Sequence, residues 1–212
     1  MPAFPDAARG LYAILDPDHC AGRDPVRVAE AILAGGCAVL QLRSKTMEGR
    51  AMHALAVSLR ERARAAGVPF VVNDRIDVAL AVLADGVHLP ATSFSPGNAR
   101  RLLGPDALIG VSTHGLDEAG GAQRMGADFI VCGPIFDTPS KRAFGPPVGL
   151  EALAEVTRAI SIPVLAIGGI TAEQAPATRG CGVHGIAVIS AILEAADPCA
   201  AARALRKAIS NR

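Results

Sequence analysis

The chain has 212 residues, of which 50% are hydrophobic and 19% charged, and 21 basic residues against 20 acidic ones give a formal net charge of +1. A half-apolar chain of this length can bury a large core, which excludes intrinsic disorder. The near-neutral balance, with six Phe, one Tyr and no Trp, argues against a nucleic-acid binder, a membrane-surface binder and a base-stacking platform.

Cysteine usage and the start of the chain indicate the compartment. The five cysteines are odd in number and none form a C-x-x-C pair, so we expect reduced thiols that pack as small apolar residues. Residues 1–6 show no basic stretch leading into an apolar one, so we expect no signal peptide. No apolar run approaches the roughly 20 residues that a spanning helix needs. We therefore expect a cytoplasmic protein.

Two kinds of segment alternate along the chain. Short apolar runs rich in β-branched residues predict buried strands at 11–15, 38–42, 70–72, 87–89, 108–111, 129–132, 164–167 and 186–189. Ala-, Leu- and Arg-rich stretches with helical spacing predict helices at 25–34, 47–66 and 149–159. The nearly all-apolar stretch 76–83 is assigned to a helix because it lies between two predicted strands.

Eight strands with interleaved helices in one uniform chain are typical of an α/β (β/α)₈ TIM barrel. The alternative is an open doubly wound sheet, which usually has fewer strands. That fold would carry a Gly-rich dinucleotide fingerprint after its first strand, where this chain has Asp16-Pro17-Asp18. We therefore predict a single barrel domain over residues 1–212.

The predicted strand ends carry polar residues of the kinds that bind phosphate. Catalysis in such barrels occurs at the C-terminal ends of the strands, and the polar residues just beyond the apolar runs are Gln41, Arg43, Lys45, Asn73, Asp74, Ser112, His114, Thr138, Ser140, Lys141, Gly168, Gly169 and Ser190. The loops after strands 7 and 8 often bind phosphate through backbone N–H groups. A lone Gly-Gly or Arg-Lys pair would be an ordinary turn or strand end. Groups that bind phosphate recur at several strand ends on one rim, however, and this recurrence predicts a small phosphorylated ligand. His88 lies within a short strand and is expected to be an interior or rim histidine with its hydrogen bonds satisfied.

Eight motifs, in this order, resemble the family of thiamin-phosphate synthase and its sister branch, the TenI-type thiazole tautomerase. They are QLRSK at 41–45, VNDR at 72–75, DGVHL at 85–89, IGVSTH at 109–114, GADFI at 126–130, GPIFDTPSK at 133–141, IPVLAIGGI at 162–170 and GIAVISAI at 185–192. Each motif alone is weak, but their order and spacing over residues 11–192 are specific. The synthase joins hydroxymethylpyrimidine diphosphate to thiazole phosphate and releases diphosphate.

The resemblance implies a role for each matching residue. It implies that the pyrimidine diphosphate is held by Gln41, Arg43, Lys45, Asn73 and Lys141, with Ser112 against the pyrimidine. It implies that the thiazole phosphate is held by Thr138, Ser140, Gly169, Ile189 and Ser190, and that Asp74 binds Mg²⁺. Fixed cations suit this reaction, because diphosphate departs readily only when its developing charge is neutralised. Arg43, Lys45 and Lys141 would supply that charge, and no general base is needed.

One segment departs from the synthase pattern. Synthases usually follow the fourth strand with Gly-Gln-x-Asp, whose Asp is the second Mg²⁺ carboxylate, whereas this chain has Ser93 at that position. A hydroxyl is a weaker ligand for a hard cation than a carboxylate. The stretch PATSFSP at 90–96 resembles the tautomerase branch, in which a His at the position of His114 is the acid/base and no metal is needed.

Three functions therefore stay open: a synthase that uses Mg²⁺, a metal-independent tautomerase acting on thiazole carboxylate phosphate, and a silent thiazole-phosphate-binding barrel. In each case the expected partners are small phosphorylated molecules, with no nucleic acid and no membrane. The resemblance also allows a homodimer.

Overall fold

Eight parallel strands close into a barrel in the computed structural model, which describes residues 9–138, 142 and 145–210. The strands are β1 Gly10–Leu15, β2 Val39–Leu42, β3 Phe70–Asn73, β4 Gly86–Leu89, β5 Leu108–Thr113, β6 Phe129–Cys132, β7 Val164–Ile167 and β8 Gly185–Val188. Each strand pairs with the next, and β1 closes the barrel against β8. The predicted (β/α)₈ fold is confirmed, with every predicted strand end within two residues of the observed one.

Helices connect the strands and cover the outside of the barrel. They are α1 Pro25–Gly35, α2 Gly49–Ala65, α3 Ile76–Val82, α4 Pro96–Leu103, α5 Leu116–Arg124, α6 Gly149–Ala159, α7 Ala175–Gly180, α8 Ser190–Leu193 and α9 Pro198–Ser210, and a 3₁₀ turn spans Pro17–His19. The caps follow local chemistry: the Asp24 carboxylate accepts the N–H of Val26 at the start of α1, and Gly36 ends that helix with φ of 88°. All four predicted helices are present.

The alternation of side chains along each strand produces two apolar layers. Leu11, Ala13 and Leu15 of β1 face the outer layer beneath the helices, whereas Tyr12 and Ile14 belong to the barrel interior. The interior also contains Val39, Val71, Leu108, Phe129, Val131, Leu165 and Ala187. These side chains fill the barrel, so it is a packed core and any ligand must bind at its rim.

Phe129 and Gly110 show how tightly the interior is filled. A Cβ atom added at Gly110 would lie 2.2 Å from Cζ of Phe129. The ring of Phe129 therefore occupies the space that a side chain on β5 would take. Position 110 in the middle of β5 must therefore be glycine. The polar residues of β5 are Ser112 and Thr113, at the end of the strand.

The cysteines behave as the composition suggests. All five lie in the described part of the chain and are free thiols, with Cys20, Cys37 and Cys132 buried. Burial raises the pKa of Cys37 to about 12 and that of Cys132 to about 11, so these thiols stay protonated and unreactive. Within the same residues, no helix is long and apolar enough to cross a membrane.

Candidate active site

The parallel strands bring most of the predicted site residues to one face. Gln41, Asn73 and Ser112 are among the last two residues of β2, β3 and β5. The loops that follow strands contain Arg43, Lys45, Asp74, His114, Thr138, Gly169 and Ile189, and Ser190 is the first residue of α8. Because all eight strands run in the same direction, these positions share the C-terminal rim of the barrel. Ser140 and Lys141, which were also predicted, lie outside the described residues.

A chain of hydrogen bonds crosses β1, β2 and β3 below this rim. The phenol of Tyr12 donates to Oε1 of Gln41 at 2.7 Å, and Nε2 of Gln41 donates to Oδ1 of Asn73 at 3.1 Å. Burial raises the pKa of Tyr12 well above its usual range, so the phenol stays a donor. The direction of each bond fixes the next amide, and the NH₂ group of Asn73 is left to donate to a ligand.

Tyr12 did not emerge from the sequence as a site residue. The signal available was one hydroxyl inside an apolar strand, at a position whose side chain points into the barrel. That signal alone does not reveal which residue the hydroxyl meets, because Gln41 is 29 residues away in the chain.

His88 and Ser112 extend the polar layer across β4 and β5. Nε2 of His88 lies 2.8 Å from Oγ of Ser112. Burial lowers the pKa of His88 to about 4, so the imidazole is neutral at physiological pH. Nδ1 of the same ring is buried and has no hydrogen-bond partner within the described residues. The expectation of a fully satisfied interior histidine is therefore half wrong, because only one of the two nitrogens is bonded.

The loop after β2 places two cations at the rim. Arg43 donates from Nη1 to the carboxylate of Asp16, which follows β1. The Arg43 side chain is 20% exposed and that of Asp16 only 2%. Oγ of Ser44 accepts the N–H groups of Thr46 and Met47, which shapes the turn that carries the exposed Lys45. Asp16 was noted in the sequence only as the residue standing where a dinucleotide fingerprint would be.

Asp74 and Ser93 meet at the predicted metal position. Oγ of Ser93 donates to Oδ1 of Asp74, and Asp74 has φ of 64°, a left-handed conformation that Asp tolerates better than most residues. No group of three or more His, Cys, Asp or Glu side chains able to hold a metal ion occurs among the described residues. Mg²⁺ is often bound by one or two carboxylates plus substrate phosphates and water. One carboxylate and one hydroxyl fit an Mg²⁺ ion that also takes oxygens from a bound diphosphate.

His114 lies at the edge of the rim. Nδ1 of its ring and its backbone N–H both contact Oε2 of Glu118, at 2.9 and 2.8 Å. Both side chains are half exposed. The carboxylate fixes the ring through Nδ1, so Nε2 is the nitrogen that could exchange a proton with a ligand.

The loops after β6, β7 and β8 form the other half of the rim. Gly168 and Gly169 have φ of 101° and 65°, and a Cβ at Gly169 would lie 2.9 Å from both the carbonyl oxygen of Asp137 and Cβ of Phe136. Close packing and a left-handed backbone therefore both require glycine at position 169. The hydroxyl of Thr138 donates to the carbonyl of Phe136 at 3.1 Å.

After β8, Ile189 leads directly into α8, which begins at Ser190. The first N–H groups of a helix have no partner within the helix and are available to an anion. The described residues predicted to hold the thiazole phosphate are thus Thr138, Gly169, Ile189 and Ser190, which follow β6, β7 and β8. They lie on a different part of the rim from Arg43 and Asn73, which lie at the ends of β2 and β3.

Known proteins share both the sequence and the fold. The family model described as thiamine monophosphate synthase matches residues 11–192. A thiamine-phosphate synthase from Roseiflexus castenholzii is 44% identical over 209 residues, which cover 99% of this chain and 92% of the relative. A putative thiamine-phosphate synthase from Geobacter sulfurreducens is 46% identical and covers 92% of each chain. The solved structure of a thiamine phosphate pyrophosphorylase from Pyrococcus furiosus superposes with a TM-score of 0.88 and 36% identity, over 96% of both chains.

Proposed function

The chain belongs to the thiamine monophosphate synthase family, and we propose that it joins hydroxymethylpyrimidine diphosphate to thiazole phosphate and releases diphosphate. It is accordingly a transferase of thiamine biosynthesis. The observation that carries the proposal is the hydrogen-bonded series Tyr12–Gln41–Asn73 beside Arg43 and Lys45. The series presents amide donors on one side of the rim, and Arg43 and Lys45 present cations on the same side, as a bound diphosphate requires.

The proposed chemistry needs charge neutralisation and positioning. The bond between the pyrimidine methylene carbon and the diphosphate oxygen breaks, and both electrons leave with the diphosphate. The electron-rich aminopyrimidine stabilises the resulting cation, and the thiazole nitrogen then forms the new C–N bond. Arg43 and Lys45, together with Lys141, would bind the departing oxygens, since donors aimed at developing charge lower the barrier most. No proton has to move.

Asp74, with Ser93 beside it, would hold Mg²⁺ against the diphosphate. When bound, the ion would neutralise part of the negative charge on the leaving group. Asn73 would donate to the diphosphate directly. Neutral His88 would act through Ser112, by fixing its hydroxyl against the pyrimidine. Thr138, Ser140, Gly169, Ile189 and Ser190 would hold the thiazole phosphate across the rim, which separates the two anions.

A coupled assay tests the proposal. Purified protein is incubated with both substrates, with and without Mg²⁺, while released diphosphate and thiamine phosphate are measured together. We expect equal amounts of the two products, dependent on Mg²⁺. Product formation no faster than in a blank without protein would contradict the assignment.

The tautomerase alternative is favoured by one observation, the contact between His114 and Glu118, which orients an imidazole suited to proton transfer. It predicts isomerisation of thiazole carboxylate phosphate without metal and loss of that activity in His114→Ala. A silent barrel predicts instead that thiazole phosphate raises the melting temperature while neither reaction occurs. The same purified protein serves all three experiments.

The oligomeric state and the location need separate measurements. Light scattering during size-exclusion chromatography tests the homodimer, and subcellular fractionation tests the cytoplasmic location.

A further inference from the structure

We propose that Asp16 is a positioning residue for the diphosphate site, acting through Arg43. Its carboxylate would hold the guanidinium so that the remaining N–H groups face the leaving group. This inference rests on the proposed function, because it needs a diphosphate to bind at the rim. It adds a residue of the β1–α1 loop to a site that the motifs placed on β2 and later strands.

The carboxylate of Asp16 is itself fixed on both oxygens. Oδ2 accepts from Arg43, while Oδ1 accepts the backbone N–H of Asp18 at 3.2 Å and lies 3.5 Å from Nδ1 of His19. The side chain is only 2% exposed. A buried carboxylate with several fixed donors has little freedom to turn, so it is a rigid anchor for the guanidinium.

Arg43 retains free capacity after this contact. A guanidinium has five N–H donors in a planar fork, and the contact with Asp16 uses the one nitrogen Nη1. The side chain stays 20% exposed at the rim. Fixing one edge of the fork sets the direction of the other, which is the geometry that two phosphate oxygens need.

A second contact ties the same two loops together. The hydroxyl of Thr46, next to Lys45, donates to Oδ2 of Asp18 at 2.7 Å. The β1–α1 loop therefore holds the β2–α2 loop at two points, one at Arg43 and one next to Lys45. This arrangement favours a role for the β1–α1 loop in setting where the cations lie.

Charge and orientation predict opposite effects of removing the carboxylate. Asp16→Asn keeps the shape but abolishes the negative charge near the site. If the charge mattered only by opposing the diphosphate, the variant would bind diphosphate more tightly. If Asp16 orients Arg43, the guanidinium becomes mobile and binding weakens.

The experiment measures the Kd of inorganic diphosphate with Mg²⁺, and the KM of each substrate, in wild type, Asp16→Asn, Arg43→Ala and the double variant. We expect the Kd of diphosphate and the KM of the pyrimidine diphosphate to rise roughly tenfold in Asp16→Asn, as loss of one charge-assisted hydrogen bond suggests. The KM of thiazole phosphate should stay within about twofold, and Asp16→Asn should add nothing in the Arg43→Ala background, since the two act as one unit.

Asp128→Asn is the matched structural control. Asp128 pairs with Arg100, and the two side chains are 2% and 20% exposed, as in the Asp16–Arg43 pair. Asp128 precedes β6 and so lies at the opposite end of the barrel. The control should lower the melting temperature but leave the Kd of diphosphate unchanged.

Three results would overturn the inference: unchanged or tighter diphosphate binding by Asp16→Asn, equal weakening by Asp128→Asn, or wild type that binds no diphosphate. Wild type that binds diphosphate but performs no coupling would refute only the proposed function, because the binding series would still report on Asp16.

Discussion

The phenol of Tyr12 donates a 2.7 Å hydrogen bond to Oε1 of Gln41, and both side chains are buried beneath the rim. In Tyr12→Phe the acceptor on Gln41 loses its donor, which costs about 1–3 kcal/mol of unfolding free energy for a buried group. The amide of Gln41 is then free to turn, so we expect the KM of the pyrimidine diphosphate to rise as well. Urea unfolding and initial rates measure the two effects.

Thr178→Val is the control for Tyr12→Phe. Thr178 lies within α7, on the outside of the barrel, and its buried hydroxyl donates to the carbonyl of Gln174 at 3.0 Å. Its loss should cost stability without changing either KM. A Tyr12→Phe variant with the kinetics of wild type would show that Gln41 does not need the phenol to orient it.

Asn73→Asp tests whether the amide of Asn73 faces the diphosphate as a donor. Nε2 of Gln41 can still donate to the new carboxylate, so the fold should be retained. The ligand, however, loses the NH₂ donors and meets a negative charge. Like charges brought together cost several kcal/mol, so we expect the KM of the pyrimidine diphosphate to rise roughly 100-fold. Initial rates at varied pyrimidine diphosphate measure it.

Asn73→Ala separates the two contributions, because it removes the donors without adding charge and should raise the same KM by a smaller factor. The KM of thiazole phosphate should be unaffected in both variants. Equal effects of Asn73→Asp and Asn73→Ala would mean that the diphosphate lies away from this side chain.

The barrel could be predicted because its strands are bounded by clear breaks in the apolar pattern. The runs 129–132 and 164–167 coincide with β6 and β7, since Asp128 and Pro163 stop the apolar pattern on one side and Gly133 and Gly168 on the other. The end of β5 is different: the strand continues through Ser112 and Thr113, which pair with Val131 and Cys132 of β6. Periodicity of apolar residues cannot detect polar residues that remain in the ladder.

The site was predictable only in part, for a related reason. The rule that chemistry follows strand ends located Gln41, Arg43 and Asn73, because it needs only the strand assignment. It could not reveal Tyr12 or Asp16, whose proposed roles depend on partners 29 and 27 residues away along the chain. Which distant residues meet depends on the register between neighbouring strands around the barrel. That register could not be predicted from the pattern of apolar residues in a single sequence.

Ser93→Asp should restore a paired-carboxylate site for Mg²⁺. Oγ of Ser93 contacts Oδ1 of Asp74, so a carboxylate at position 93 would stand next to that of Asp74. Because Mg²⁺ prefers charged oxygen ligands, we expect the Mg²⁺ concentration for half-maximal activity to fall roughly tenfold, about 1.4 kcal/mol of binding. Without Mg²⁺, repulsion between the two carboxylates should lower the melting temperature.

Thr92→Asp is the matched control for Ser93→Asp, because it adds the same charge at the exposed neighbouring position. It should leave the Mg²⁺ dependence as in wild type. Unchanged Mg²⁺ dependence in Ser93→Asp would place the ion away from Asp74.

Gly169→Ala should damage the thiazole-phosphate part of the rim selectively. The residue has φ of 65°, and a Cβ would lie 2.9 Å from two atoms of the β6 loop. A left-handed alanine costs roughly 1–2 kcal/mol before any clash, and the displaced backbone should raise the KM of thiazole phosphate, measured by initial rates at saturating pyrimidine diphosphate. Gly104→Ala is the control, since Gly104 has φ of 91° with nothing within 4 Å and lies between α4 and β5, away from the rim. If both variants raise that KM equally, Gly169 does not shape the phosphate site.

The buried imidazole of His88 should make the protein acid-sensitive in a defined range. The pKa of His88 is lowered by burial from 6.5 to about 4, so between these values the unfolded chain binds a proton that the native protein does not. Acidification therefore stabilises the unfolded state relative to the native state. The contribution of neutral His88 to the free energy of unfolding is fully present above pH 6.5 and is lost progressively down to pH 4. The loss amounts to about 3 kcal/mol.

His88→Gln tests this origin of the acid sensitivity. The loss of stability between pH 6.5 and 4 should be absent in His88→Gln, whereas the control His53→Gln, at an exposed position of α2, should keep it. Urea unfolding at several pH values between 4 and 7 measures the slopes, and parallel curves for wild type and His88→Gln would show that His88 takes up its proton in the native barrel.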